Sequence, residues 1–203
     1  MRFVGPKNDY RANGPHPSRR SMLGLGLAAM AAAGAVPSPA SASMTATRGG
    51  SGAGVRRLHV VNPHTGESFR DAYWADGAYI EDATADLGWL MRDYHVDRTV
   101  PIDPALFDVL HRISERLGHP GPVELMSGYR TPETNARLRR EGRRAAKHSF
   151  HLQGKAADIR IPGVGAGTLR RAAFAAGAGG IGCYPGAGFV HVDTRTSRTW
   201  WVW

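Results

Sequence analysis

From about residue 56 onward the chain reads as short strands and amphipathic helices in succession. Arg57 to Asn62 predicts a strand, Pro63 to Glu67 a turn, and Ser68 to Trp74 the return strand of a hairpin. Glu81 to Tyr94 has Ala85, Trp89 and Leu90 at helical spacing. Asp103-Pro104 then opens a second helix, which runs to Leu117 and stops at Gly118. Its apolar face is Leu106, Val109, Leu110, Ile113 and Leu117, which leaves His111 towards solvent. Val123 to Met126 predicts a strand that ends in Ser127-Gly-Tyr-Arg-Thr-Pro132. Thr131 caps the next helix, from Pro132 to about Ala146, whose arginine run reads as a solvated face. Ala156 to Ile161 predicts a strand, Thr168 to Ala176 a short helix, and Ile181–Tyr184 with Phe189–Asp193 a second hairpin. The apolar Thr199–Trp203 is expected to pack along the sheet or close a wall of the site. The pattern is α+β: a small antiparallel sheet flanked by helices, in a single domain at residues 56–203.

The N-terminal part follows different rules. Arg19-Arg20 precedes an apolar run from Met22 to Val36, and Ala40-Ser41-Ala42 supplies an A-x-A cleavage site. Residues 1–42 therefore read as a signal peptide of the twin-arginine kind, and 43–55, rich in Gly, Ser and Thr, as a flexible linker. An uncleaved membrane anchor is the alternative, but the 15-residue run is short of the ~20 residues that a spanning helix needs. After cleavage no stable membrane insertion is expected, and the location is the periplasm or cell envelope.

The whole chain carries a net charge of +9. The leader holds five Lys/Arg and one Asp, so the remainder is +5, an ordinary surface charge with a mild preference for anionic polymers. No nucleic-acid-binding motif accompanies it, so nucleic acid is excluded as a partner. Cys183 has no second cysteine to pair with and reads as a small buried hydrophobe.

The chemistry-bearing stretch is Lys147 to Ile161. It sets His151 seven residues before Asp158, and the later strand adds His191. Two histidines and a carboxylate from two strands match the three protein ligands of a catalytic Zn²⁺, with a fourth position for water. Spacing alone does not separate this from a His and an Asp that merely share a strand.

The fuller pattern, Ser149-Phe-His151-Leu-Gln-Gly154-Lys-Ala156-Ala-Asp158, resembles the SxHxxGxAxD signature of zinc peptidases that share a fold with the Hedgehog signalling domain and the D-Ala-D-Ala carboxypeptidases. With SGYRTPETN, GGIGCYP, FVHVDT and Arg198-Thr-Trp200 in order, the chain is similar to the YcbK-like (MepK-type) murein endopeptidases over about Arg57 to Trp200. The resemblance implies one zinc per chain on His151, Asp158 and His191, and hydrolysis of the cross-link peptides of peptidoglycan. It also implies that Arg130 faces the zinc, although a salt-bridge role remains open.

The general base is the least defined part. The positions two and three before His191 are Phe189 and Gly188, which cannot serve. Asp193 is the first candidate, with orientation of a ligand as its alternative role. His148 is the second, and Tyr184 is a candidate donor to an oxyanion. Arg195 stands where such relatives often have Gly.

Other readings are a D-alanyl carboxypeptidase or dipeptidase of the same fold, a non-catalytic peptidoglycan-binding zinc module, and a structural zinc domain that recruits Cys183. The bond also stays open among D-Ala to diaminopimelate, diaminopimelate to diaminopimelate, and a terminal D-Ala.

Overall fold

The structure, a computed structural model, describes residues 54–143, 145–196 and 198–201. The expected signal peptide and most of the linker lie outside the described residues. Alternating burial folds β1 (Arg56–Val61) against β2 (Ser68–Ala75) as the expected hairpin, and Trp74 and Ala75 pair onward with the two-residue β3 (Ala78–Tyr79). Helix α1 (Glu81–Leu90) follows. It buries Ala83, Leu87 and Leu90, so of the three expected inward positions only Leu90 is buried. Ala85 is exposed and Trp89 is 45% exposed, with the Arg92 guanidinium 4.4 Å above the indole.

The helix also stops four residues short of Tyr94, because its end is claimed from outside. The Tyr129 amide donates to Met91 O at 2.7 Å and Asn62 Nδ2 to Leu90 O at 3.4 Å, so Met91–His95 becomes a bolted turn.

Helix α2 (Pro104–Leu117) begins and ends where its punctuation predicts. Asp103 accepts from the Ala105 amide, and Gly118 closes the helix in the left-handed conformation. Its five buried side chains, Leu106, Phe107, Val109, Leu110 and Ile113, contribute about 10 kcal/mol of apolar transfer, far more than any helix propensity. Leu117 is only half-buried, and His111, partly open to solvent as expected, has Nδ1 3.1 Å from Arg57 O.

Strand β4 (Val123–Ser127) leads into α3 (Pro132–Arg140), capped by Thr131 and ended by Glu141 and Gly142, before the expected Ala146. A 3₁₀ turn, Phe150–Gln153, then precedes β5 (Ala156–Arg160), helix α4 (Ala166–Ala175), β6 (Gly180–Tyr184), β7 (Phe189–Asp193) and β8 (Arg198–Trp201).

The architecture is α+β, but the sheet is larger than a small antiparallel one. Eight strands run in the order β3-β2-β1-β4-β5-β7-β6-β8. Two pairs, β1 with β4 and β6 with β8, are parallel, since the connections between them pass through helices or over a hairpin. The C-terminal segment thus lies along the sheet.

Period-two alternation sorts the two faces. Ala157, Ile159, Ile181, Cys183, Val190 and Val192 join the core with α2 and α4, whereas Asp158 and His191 take the opposite face. Cys183 is therefore on the wrong side of the sheet to ligate anything that Asp158 holds.

Asp108 of α2 ties the hairpin to the helix layer, accepting from Tyr73 Oη, Tyr79 Oη and Arg56 Nη1, each at 2.8 Å. Burial alone would raise its carboxyl pKa, and these three donors overcome that and hold it below the ordinary value. Its contribution to stability is therefore complete above about pH 4 and fades as the pH falls through the lowered folded-state value. Asp108→Asn should cost about 2 kcal/mol at neutral pH. In urea unfolding at a series of pH values, the gap to wild type should narrow below about pH 4. A gap that stays constant with pH contradicts this.

Candidate metal centre

Strand register builds the centre. Ser127, Asp158, His191 and Gly182 stand opposite one another across β4, β5, β7 and β6. His151 comes down onto the same face from the 3₁₀ turn, whose N-cap, Ser149, accepts from the His151 amide. Gly154 turns the chain from there into β5 at φ 65°, and a Cβ on it would stand 2.7 Å from Pro101 O. Only glycine meets both demands.

The ring partners decide the tautomers. His151 Nδ1 lies 2.6 Å from Gly128 O, which can only accept, so Nδ1 carries the proton and Nε2 keeps its lone pair. His191 Nε2 lies 3.0 Å from Asp193 Oδ2, so it donates there and Nδ1 is left with its lone pair. The two lone pairs and Asp158 Oδ1 then face one another. His151 Nε2 is 3.0 Å from His191 Nδ1 and 3.2 Å from Asp158 Oδ1, and His191 Nδ1 is 2.9 Å from Asp158 Oδ1.

Three buried acceptors this close repel unless a cation joins them. The edges of a tetrahedral site with ~2.05 Å ligand bonds are about 3.3 Å, close to this triangle. The residues present therefore fit a metal ion. They are a buried His-Asp-His group, the one such cluster among the described residues.

The electrostatics agree. Burial is the main force on His151; with the Arg130 charge beside it, it outweighs the pull of Asp158 and holds the imidazole at about 4, neutral at physiological pH. Burial pushes Asp158 up, and the neighbouring His151 and Arg130 overcome it and keep the carboxyl well below its usual range. His191 is opposed by burial but raised overall by its hydrogen bonds to Asp158 and Asp193. A proton and a metal ion thus compete for its inner nitrogen.

Asp193 is fully buried behind the His191 ring. Burial would raise it, but hydrogen bonds from His191 and Arg195 hold it at about 2. Arg195 supplies Nε at 2.7 Å and Nη2 at 2.6 Å to Asp193, and stacks its guanidinium 4.2 Å from the Phe150 ring. Asp193 faces away from the open side of the triad, the geometry of a carboxylate that orients a ligand rather than of a base that meets substrate.

Above the triad opens a cavity of about 810 Å³. Arg130 lines it, donating from Nη2 to Asp158 and from Nε to Ser127 Oγ at 2.8 Å. Tyr184 lines it too, stacked on Phe189 at 4.5 Å. His148 is exposed and is not part of the lining, so the structure does not bring it to the centre.

Sequence reasoning missed one wall altogether. His64, read as a turn residue, stacks on Tyr94 at 4.8 Å, and Tyr94 lies 4.2 Å from the His95 ring, all three facing the cavity. The polar-aromatic run Asp93-Tyr94-His95 directly after a helix was the available signal. Reading Tyr94 as the last helical residue hid it.

The profile of the family described as Peptidoglycan L,D-endopeptidase MepK matches residues 50–200. The chain is 43% identical over 145 residues to the peptidoglycan L,D-endopeptidase MepK of Escherichia coli (strain K12), covering 71% of this chain and 80% of that protein. The same name is carried by a relative from Shigella flexneri, also 43% identical over 145 residues with the same coverage. The chain is 37% identical over 146 residues to the probable peptidoglycan L,D-endopeptidase MepK of Haemophilus influenzae, covering 71% of this chain and 78% of that protein.

If Asp193 sets the His191 tautomer, Asp193→Asn should weaken metal binding about 10- to 100-fold, while His148→Ala leaves it unchanged. Competition against a chromogenic chelator reads both. Equal affinity for wild type and Asp193→Asn would remove the orienting role.

Proposed function

The chain belongs to the family of the peptidoglycan L,D-endopeptidase MepK, and on that premise we propose that it is a zinc peptidase of the bacterial envelope that cuts peptide cross-links of peptidoglycan. The observation that carries this reading is the convergence of three acceptors, their protons committed elsewhere, beneath an open cavity.

His151, Asp158 and His191 hold the zinc. When bound, it supplies Lewis-acid polarisation of the scissile carbonyl and lowers the pKa of water. Arg130 is fixed by Ser127 and Asp158 with its guanidinium facing the cavity, which suits it to stabilise the developing oxyanion. Tyr184, on the neighbouring strand, offers a phenolic donor to the same space. Asp193, through His191, acts as a positioning residue. The buried floor excludes water from behind the triad, which strengthens each of these interactions.

The names of the relatives specify an L,D bond, and we carry that class over. Of the three bonds considered, the diaminopimelate-to-diaminopimelate amide is the internal cross-link that joins an L-centre carbonyl to a D-centre amine. The leader with Arg19-Arg20 is proposed to deliver the domain through twin-arginine export. No helix of the described residues is long and apolar enough to cross a membrane.

Digestion of purified cross-linked muropeptides tests the activity. Dimers should be consumed with zinc, spared with chelator and spared by His151→Ala, with product masses that assign the diaminopimelate bond. Intact dimers beside monomers that lose D-Ala would identify a carboxypeptidase instead, and no product from zinc-loaded protein a binding module. Tyr184→Phe should lower kcat about 10- to 100-fold with KM little changed. An unchanged kcat would remove the phenol from the reaction.

A further inference from the structure

Five arginines line the cavity, and four of them are answered by carboxylates. Arg92 contacts Glu67 at 2.6 Å and Asp97 at 2.9 Å, Arg130 contacts Asp158, Arg195 contacts Asp193 at 2.6 Å, and Arg143 lies 3.6 Å from Glu141. Arg137 differs. It is half-buried on α3, and no carboxylate of the described residues lies within ion-pair distance of it. A guanidinium partly withdrawn from water without a counter-charge attracts an anion strongly, and a fork of donors suits a carboxylate.

Its surroundings form a site with a fixed place. Arg137 acts electrostatically on both Tyr94 and His95, which puts it beside the aromatic wall. The Tyr94 hydroxyl makes no hydrogen bond to any described residue and so is available to a ligand. Asp93 locks this wall to the metal side. Its Oδ2 accepts from the Thr131 amide and Thr131 Oγ1, each at 2.9 Å, and its Oδ1 accepts from the His95 amide at 3.2 Å. Thr131 is both the neighbour of Arg130 and the cap of α3. Arg137 follows it by six residues, about 9 Å along a helix. An extended peptide covers that in about three residues.

We propose that Arg137, with the Tyr94 face beside it, is a carboxylate-binding subsite that reads a free carboxylate of the peptidoglycan stem peptide about 9 Å from the scissile bond. This rests on the endopeptidase reading and names what the cavity beyond the metal recognises. Stem peptides offer two such groups, the α-carboxylate of the γ-linked glutamate and a carboxylate of diaminopimelate.

The test uses three cross-linked dimers: one with all carboxylates free, one amidated at glutamate, and one amidated at diaminopimelate. Zinc-loaded wild type should lose about tenfold or more in kcat/KM on one amidated dimer, and which one names the carboxylate. Arg137→Gln should cut all three at the lower rate, through a raised KM, with zinc content unchanged. Arg137→Lys, which keeps the charge, should recover part of the preference. Equal rates on all three dimers by wild type, or a preference that survives in Arg137→Gln, overturns the subsite alone. Failure of zinc-loaded wild type to cut any dimer removes the endopeptidase reading, and the subsite falls with it.

Discussion

Everything at this centre depends on where two protons are. Gly128 O and Asp193 each take an N–H from a histidine, and this turns both remaining ring nitrogens towards Asp158. A buried triangle of acceptors is a high-energy arrangement on its own and a low-energy one around a cation. The fold supplies the rigidity to hold it. Asp158 and His191 are directly paired across β5 and β7, with core side chains before and after each of them, so neither can leave this face without moving the strand.

The same constraint accounts for features away from the metal. Gly128 has to accept from His151 while its backbone passes against Met91. A Cβ there would collide with Met91 O. The turn after α1 is consequently fastened to the turn before α3, by Tyr129 N to Met91 O and by Asp93 to Thr131. Arg130, the aromatic wall of Tyr94 and the metal floor thus form one body. A ligand that spanned them would meet groups already held in place, which would limit the entropy lost on binding.

Much of this was legible in the residues. The Asp103-Pro104 cap, Thr131, Gly118 and Gly154 carry local rules that hold whatever surrounds them, and the His151, Asp158 and His191 pattern survives translation into space because strand parity is strict. What was not legible came from distant partners. Helix α1 turns Ala83, Leu87 and Leu90 inwards because β2 covers that side, and it ends early because Tyr129 and Asn62 claim its last carbonyls. The two parallel strand pairs depend on connections that alternation cannot encode. Asp193 sits two residues from His191 whichever way it faces, and only the ring orientation of His191 shows which way that is.

X-ray absorption at the zinc edge of the metal-loaded protein reads the ligand set itself. The expected result is one zinc per chain with two imidazole nitrogens and one carboxylate oxygen at ~2.0–2.2 Å, a light oxygen scatterer in the remaining position, and no sulfur. A sulfur shell near ~2.3 Å, or a first shell with four protein ligands, would contradict it and make the centre structural.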